Sequence, residues 1–316
     1  MSFFGKKKKT EGQLAIAFQA DGITAVSIKR PLNSLPVIEK AAFYPSSRFE
    51  LPKSLANLGK DLRAEHYFCS NLLEAGEYQL LSVDAPNVPS QELKTAIRWK
   101  LKDLLDYHID DATFDIVDIP VDKEANARTH SMFAVAARNQ LIQDRQALFE
   151  ESKVPLSIID IPEMAQRNIA ALAEAQGRGL GLLSFDAAGG LLTVTFAGEL
   201  YLSRRLDVTL QQLMEADGSQ REPLYERITL ELQRSFDHFD RQYRHIALSK
   251  LLLFPLGTAG VPLQEHLAAN LYFPVETLSL DEVLDFSKVP ELKRLESQQR
   301  YFLTLGAALR QEAVVL

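Results

Sequence analysis

The stretch 179–207, GLGLLSFDAAGGLLTVTFAGELYLSRRLD, is a run of strand-forming residues broken twice, at Asp186 to Gly190 and at Ala197-Gly198. Glycines at both breaks permit the positive φ of tight turns, so the spacing predicts strand, turn, strand, turn, strand. Near the other end, Gln13 to Pro45, QLAIAFQADGITAVSIKRPLNSLPVIEKAAFYP, repeats that rhythm. Two such meanders half a chain apart imply an internal duplication, with two sheet-centred lobes facing each other across a cleft. If the chain held a nucleotide, it would lie at the first turn of each lobe.

A chain of 316 residues with 46% hydrophobic side chains has material for two cores. Its formal net charge of -7 repels nucleic acid, and no nucleic-acid partner is expected. The single cysteine, Cys69, has no partner for an internal disulfide, and no apolar run approaches the ~18 residues of a membrane span. A cytoplasmic, non-integral protein is therefore expected. The start, MSFFGKKKKT, lacks the apolar core of a signal peptide. Its Lys6, Lys7, Lys8 and Lys9 read either as a solvated end or as a weak hold on an anionic membrane surface, each worth about 1 kcal/mol there.

Along the chain, apolar spacing predicts a helix over 52–66, a strand over 78–85 and a helix over 91–108 with the stripe Leu93, Ile97, Leu101, Leu104 and Leu105. Trp99 lies off that stripe, either under a neighbouring strand or as an anchor for a partner. Strands at 113–119 and 131–137, joined by a polar turn at 122–129, and a helix at 139–151 complete a small α+β subdomain. A strand at 156–160 and a helix at 162–176 follow. Beyond the second meander come a long helix at 223–245, a strand at 250–254, a helix at 263–270, a short strand at 275–278 and a last helix at 296–310.

Few chemical motifs accompany these elements. The glycines at 189 and 190, and Gly257 with Gly260, fall outside the strand-to-helix context of the phosphate-binding fingerprints. His238 and His245 lie among Asp237, Asp240, Arg241 and Arg244, which pair at i, i+4 spacing as a salt-laced exposed face. HExxH, CxxC and GxSxG do not occur. No catalytic residue and no metal site is expected.

Four ordered pieces carry a resemblance: LSVDAPNVPSQELKTAIRWKLKDLLDYHIDD, MFAVAARNQLIQDRQALFEESKVPLSIIDIPEMAQRNIAA, ELQRSFDHFDRQ before a strand, and LGAALR near the end. The chain resembles the PilM family of actin-like type IV pilus assembly proteins over about residues 13 to 312, and AIRWKLKDLL is closer to its MshI branch, from the mannose-sensitive haemagglutinin (MSHA) pilus. The resemblance implies an α/β, actin-like ATPase fold, a duplicated ribonuclease H-like bilobed architecture. Its parts would be a basic tail (1–10), a first lobe (11–86), an inserted α+β subdomain (87–153), a return and crossover (154–177) and a second lobe (178–316), with 208–249 as the latter's helical subdomain. It also implies a cytoplasmic protein peripheral to the inner membrane, which binds the N-terminal cytoplasmic tail of a PilN-like single-span protein and other platform components.

The family binds ATP with Mg²⁺, but its ligand positions are not kept. In the first phosphate loop the family's Asp, Gly and Lys fall on Ala17, Gln19 and Thr24; in the second its Asp, Gly and Thr fall on Ser184, Asp186 and Gly190. Ala17 offers Mg²⁺ no ligand in place of the Asp, Thr24 cannot neutralise phosphate as the Lys does, and Asp186 adds a negative charge where phosphate would approach. The expectation is a scaffold without cofactor. The alternatives are a nucleotide-regulated ATPase, whose ligand residues would be Asp21, Gly22, Asp186, Gly189, Gly190 and Gly257, and a sugar-kinase-like enzyme. The tail-binding site is expected on the inserted subdomain at Trp99, Leu101, Leu105, Phe114 and Phe133.

Overall fold

The computed structural model describes residues 12–120 and 130–311. Three nearly continuous apolar runs open it as the meander β1 (Gly12–Gln19), β2 (Gly22–Lys29) and β3 (Val37–Pro45). The first two are buried on both faces, which is why they lack apolar-polar alternation. After α1 (Leu51–Leu62) comes a strand that the sequence reading did not foresee, β4 (Tyr67–Leu72), parallel to β1. Its run YFCSNL carries Ser70 and Asn71 at positions that prove fully buried, so it reads as polar although it is central.

The chain then leaves this sheet for β5 (Tyr78–Asp84), α2 (Ser90–Leu101), β6 (Ala112–Asp118) and β7 (Ser131–Arg138). These strands form an antiparallel sheet in the order β5-β7-β6, and Ile97 and Leu101 of α2 pack on Val83, Met132 and Ala134. The helix ends at Leu101, not at His108. Past it the chain folds back so that Ile109 joins the same cluster, with Arg98 Nη1 donating to its carbonyl at 3.1 Å, and Leu104 is left 50% exposed. The turn expected at 122–129 lies outside the described residues.

α3 (Asn139–Glu151) and β8 (Leu156–Asp160) return to the first sheet, whose order is β3-β2-β1-β4-β8. One face, with Leu14, Ile16, Ile23 and Cys69, is covered by Leu55, Leu58 and Leu62 of α1 and Phe149 of α3. The other lies under α8 (Leu295–Ala308), which touches β1, β2 and β4. A Cβ on Gly306 would sit 2.2 Å from the Ala165 carbonyl oxygen, so only glycine lets α8 lie against the start of α4 (Pro162–Ala173).

The second meander is β9 (Gly179–Asp186), β10 (Gly189–Phe196) and β11 (Glu199–Leu206), followed by α5 (Leu210–Glu215), α6 (Gly218–Gln242), β12 (Leu248–Leu253), α7 (Gly260–Asn270) and β13 (Val275–Thr277). Its sheet runs β11-β10-β9-β12-β13: two antiparallel pairs, then two parallel ones, as in the first sheet. Phe236 of α6 packs where Gly181 leaves room, and Gln166 of α4 lies under the opposite face. The i, i+4 pairs read from the sequence do not form: α6 ends before Arg244, and Asp240 accepts from the Tyr272 hydroxyl at 2.6 Å instead.

By compactness one unit draws on Met1–Leu73, Asp144–Ala165 and Leu280–Leu316, the other on Glu74–Gln143 and Gln166–Ser279. The three-stranded sheet thus interrupts the first sheet in chain order, between β4 and β8, but groups with the second; the sequence reading drew the subdomain as part of the first lobe. No helix among the described residues is long and apolar enough to cross a membrane.

Candidate functional site

In both sheets the first hairpin turn has two residues, Ala20-Asp21 in one and Ala187-Ala188 in the other, and in both the residue after it is glycine. A Cβ on Gly22 would lie 2.3 Å from the Tyr44 carbonyl oxygen, and one on Gly189 would lie 2.6 Å from that of Leu206. Gly189 also has φ +131, and a Cβ on Gly190 would meet the Phe185 ring at 2.8 Å. Close approach of the third strand of each meander therefore accounts for these glycines without any ligand.

The first turn is held from α8. Arg300 Nη1 donates to both carboxylate oxygens of Asp21, at 3.0 and 2.8 Å, and its guanidinium lies 4.0 Å from the centre of the Phe43 ring. Gln19 Nε2 donates to the Arg300 carbonyl at 2.7 Å. Thr24 is fully buried, its hydroxyl 2.8 Å from that of Thr304 and 3.3 Å from the Ala17 carbonyl. Neither Thr24 nor Ala17, 6% exposed, is open to a ligand.

The second turn is closed by its own first residue. Asp186 Oδ1 accepts from Ala188 N–H at 2.7 Å and from Gly189 N–H at 3.1 Å, so the carboxylate takes up both of these backbone donors in an Asx turn. Ser184 is buried and donates to Gln166 Oε1 at 2.6 Å; Gln166 Nε2 in turn reaches the carbonyls of Leu182 and Leu191 and the Thr193 hydroxyl at 2.8 to 3.0 Å. Gly257, with φ +60, starts the short 3₁₀ turn Gly257–Ala259 that leads into α7.

Ligands of open α/β sheets gather at the carboxyl ends of parallel strands. In the first sheet those ends carry Asn71 and Asp160, both buried and both engaged by arginine. Arg145 Nη1 donates to Asn71 Oδ1 at 2.7 Å with its guanidinium 4.7 Å from the Phe18 ring centre, and Arg310 Nη1 donates to Asp160 Oδ2 at 2.8 Å. Sequence reasoning missed Arg145, Arg300 and Arg310. Each comes from an element far along the chain from its partner, so no local spacing announces the pairing. No cluster of three or more metal-ligating side chains occurs among the described residues.

The chain is similar over 95% of its length, and 98% of the other chain, to a chain of a "PilM-PilN type IV pilus biogenesis complex", with a TM-score of 0.74 and 17% identity. It is also similar to a Bacteroides thetaiotaomicron protein of actin-like ATPase fold and unknown function, with TM-score 0.51, 9% identity, and 90% and 96% of the two chains covered. The chain has the actin-like ATPase fold. No protein-family model and no curated protein matches the sequence.

Within this fold the five residues expected to bind a partner divide. Leu101 is fully buried in the helix-sheet core, and Phe133, 6% exposed, is buried on the opposite face of the sheet from Met132 and Ala134, so neither is open to a partner, which corrects the expectation for them. Leu105 and Phe114 are half-buried at the edge of the helix-sheet core, the latter under the Lys94 ammonium at 5.6 Å. Trp99 is 68% exposed and so is not under a strand; of the five it alone is freely presented. Lys6, Lys7, Lys8 and Lys9 lie outside the described residues.

Proposed function

We propose that this protein is a non-enzymatic scaffold of a type IV pilus assembly platform, PilM-like and of the MshI branch that serves MSHA-type pili. It works at the cytoplasmic side of the inner membrane, binds the N-terminal cytoplasmic tail of a PilN-like single-span protein, contacts other platform components, and uses no nucleotide. Two things support the reading: the end-to-end likeness to a chain of a PilM-PilN complex, and the sequence pieces shared with that family. The observation that carries the loss of nucleotide is the Asp186 carboxylate on the N–H groups of its own turn. A phosphate there would have to displace one anion and repel it at close range.

The test is thermal. If the protein bound Mg-ATP at about 10 μM, roughly 1 mM ligand would add about 2.7 kcal/mol of stability, a readily visible shift in melting temperature. No shift is expected. An Mg-dependent shift with ATP but not with AMP would return the protein to the ATPases. The partner arm uses a synthetic tail of the neighbouring single-span protein, for which ordering on binding makes a micromolar affinity the expectation. Trp99→Ala should weaken it about tenfold; unchanged affinity in a stable variant removes Trp99 from the site. Deleting 1–10 should reduce sedimentation with anionic liposomes at low salt.

A further inference from the structure

At the end of the second sheet away from the Asp186 turn lies an open cavity of about 510 Å³, lined among others by Arg178, Asp240, Arg244, Ser249, Tyr272 and Pro274. It sits where β9, β12 and β13 begin, the length of an eight-residue strand, about 25 Å, from the hairpin that a nucleotide would occupy. Its polar groups are unevenly spent. The Ser249 hydroxyl donates to the Gly179 carbonyl at 2.9 Å, and Asp240, the one acid in the lining, accepts from the Tyr272 hydroxyl at 2.6 Å. Arg178 gives one N–H to the Leu248 carbonyl at 3.1 Å, which holds the side chain in place and leaves its other donors for a ligand. Arg244, just past the end of α6, is exposed and makes no hydrogen bond or ion pair among the described residues.

Two guanidiniums without an acid partner thus face one hollow and give it a local positive charge in a chain of net charge -7. Around them stand Phe273, Pro274 and a Tyr272 that is 66% exposed. Arginine and tyrosine are among the side chains that carry most binding energy between proteins. We propose that this cavity receives an acidic segment of a partner protein, with its carboxylates on Arg178 and Arg244 and its chain against the Tyr272 ring. The inference is independent of the nucleotide reading and of the tail site, since none of its residues belongs to either.

The test uses the whole chain and a fluorescein-labelled octaglutamate peptide, with octalysine as control, followed by anisotropy at low ionic strength. Octaglutamate should bind and octalysine should not. Arg244→Gln should weaken binding about fivefold, Arg178→Gln with Arg244→Gln about tenfold or more, and Tyr272→Ala about threefold. Arg244 is exposed and makes no hydrogen bond or ion pair among the described residues, so R244Q should melt like the parent and stands alone if the double variant fails to fold. Equal binding of the two peptides, or unchanged octaglutamate affinity in R244Q, would overturn the proposal. So would displacement by equimolar inorganic phosphate, which would make this a small-anion site. Concentration-dependent self-association that disappears in R244Q would assign the cavity to a second copy of the chain, against an outside partner.

Discussion

The two five-stranded sheets have one topology and two ways of finishing the same hairpin. In the first, the turn borrows its partner from the far end of the chain: Arg300 on α8 grips Asp21 and Gln19. In the second, Asp186 caps its own turn through bonds to residues two and three positions on. One hairpin is held by a long-range ion pair and the other by a local Asx turn. Equivalent hairpins of the two sheets are thus fixed by unrelated residues, one pairing set by folding and the other by sequence neighbours.

The glycines after the two turns offer the hardest test of that equivalence. Gly22→Ala and Gly189→Ala should each cost about 3 kcal/mol in chemical denaturation, because in each the new Cβ meets a backbone carbonyl that cannot swing aside. A loss below about 1 kcal/mol in either would mean that the meander relaxes, and the glycine would need another explanation.

Next come the buried polar links beneath each sheet. Gln166→Leu strands the Ser184 hydroxyl and strips donors from two carbonyls, and should cost about 2 to 3 kcal/mol. Thr304→Val removes one hydroxyl from a pair in which Thr24 keeps the Ala17 carbonyl, and should cost about 1 kcal/mol. Equal losses would show that the second sheet does not depend on its glutamine hub.

The turn residues themselves should matter least. Asp186→Ala should cost about 1 kcal/mol, with no dependence on salt beyond that of the parent. Arg300→Ala should cost less than about 1 kcal/mol, and less again in high salt, since its pair with Asp21 is largely exposed. The opposite ranking would reverse the local-versus-borrowed distinction.

Alkali should act on both units at once. Burial, then the hydrogen bond and charge of Asp61, push the Tyr44 hydroxyl up to about 12; burial pushes Tyr243 and Tyr301 up to about 12, and likewise the Cys69 thiol. A raised value in the folded state means stability that is complete below the unfolded values, about 8.5 for the thiol and 10 for the phenols, and is lost as pH climbs towards 12. Stability should therefore be flat through neutrality and fall above about pH 9 to 10. The thiol, fully buried in the first unit, can separate the two: its reaction with a disulfide reagent should track opening of that unit alone.

The meanders, their turns and most helices were legible in the sequence because strand runs and glycine breaks are local. β4 was not, since Ser70 and Asn71 look like loop residues until the Ile16 carbonyl, bonded by Asn71 Nδ2 at 3.0 Å, is known to lie beside them. The end of α2 was hidden for a related reason: Leu104 and Leu105 extend the helical spacing, and only the burial of Ile109 shows why the chain turns back. At the turns, the residues that depart from the pattern the resemblance implies were visible, but the partners they bond to were not. Asp186 read as an unfavourable charge, whereas it is the turn's own cap. Arg300 had no signal at all, being matched to Asp21 by folding and not by spacing.

Because α8 supplies Arg300 and Thr304 to a sheet whose first four strands are complete by Leu72, synthesis and folding run out of step. At ~10 residues per second the ribosome needs tens of seconds to travel from β4 to α8. For that interval the face of β1 and β2 bearing Ala15, Ala17, Thr24 and Val26 has left the exit tunnel without the helix that will cover it. The second sheet waits for far fewer residues. A nascent chain stalled before Leu295 is thus the form of this protein with most to gain from a chaperone.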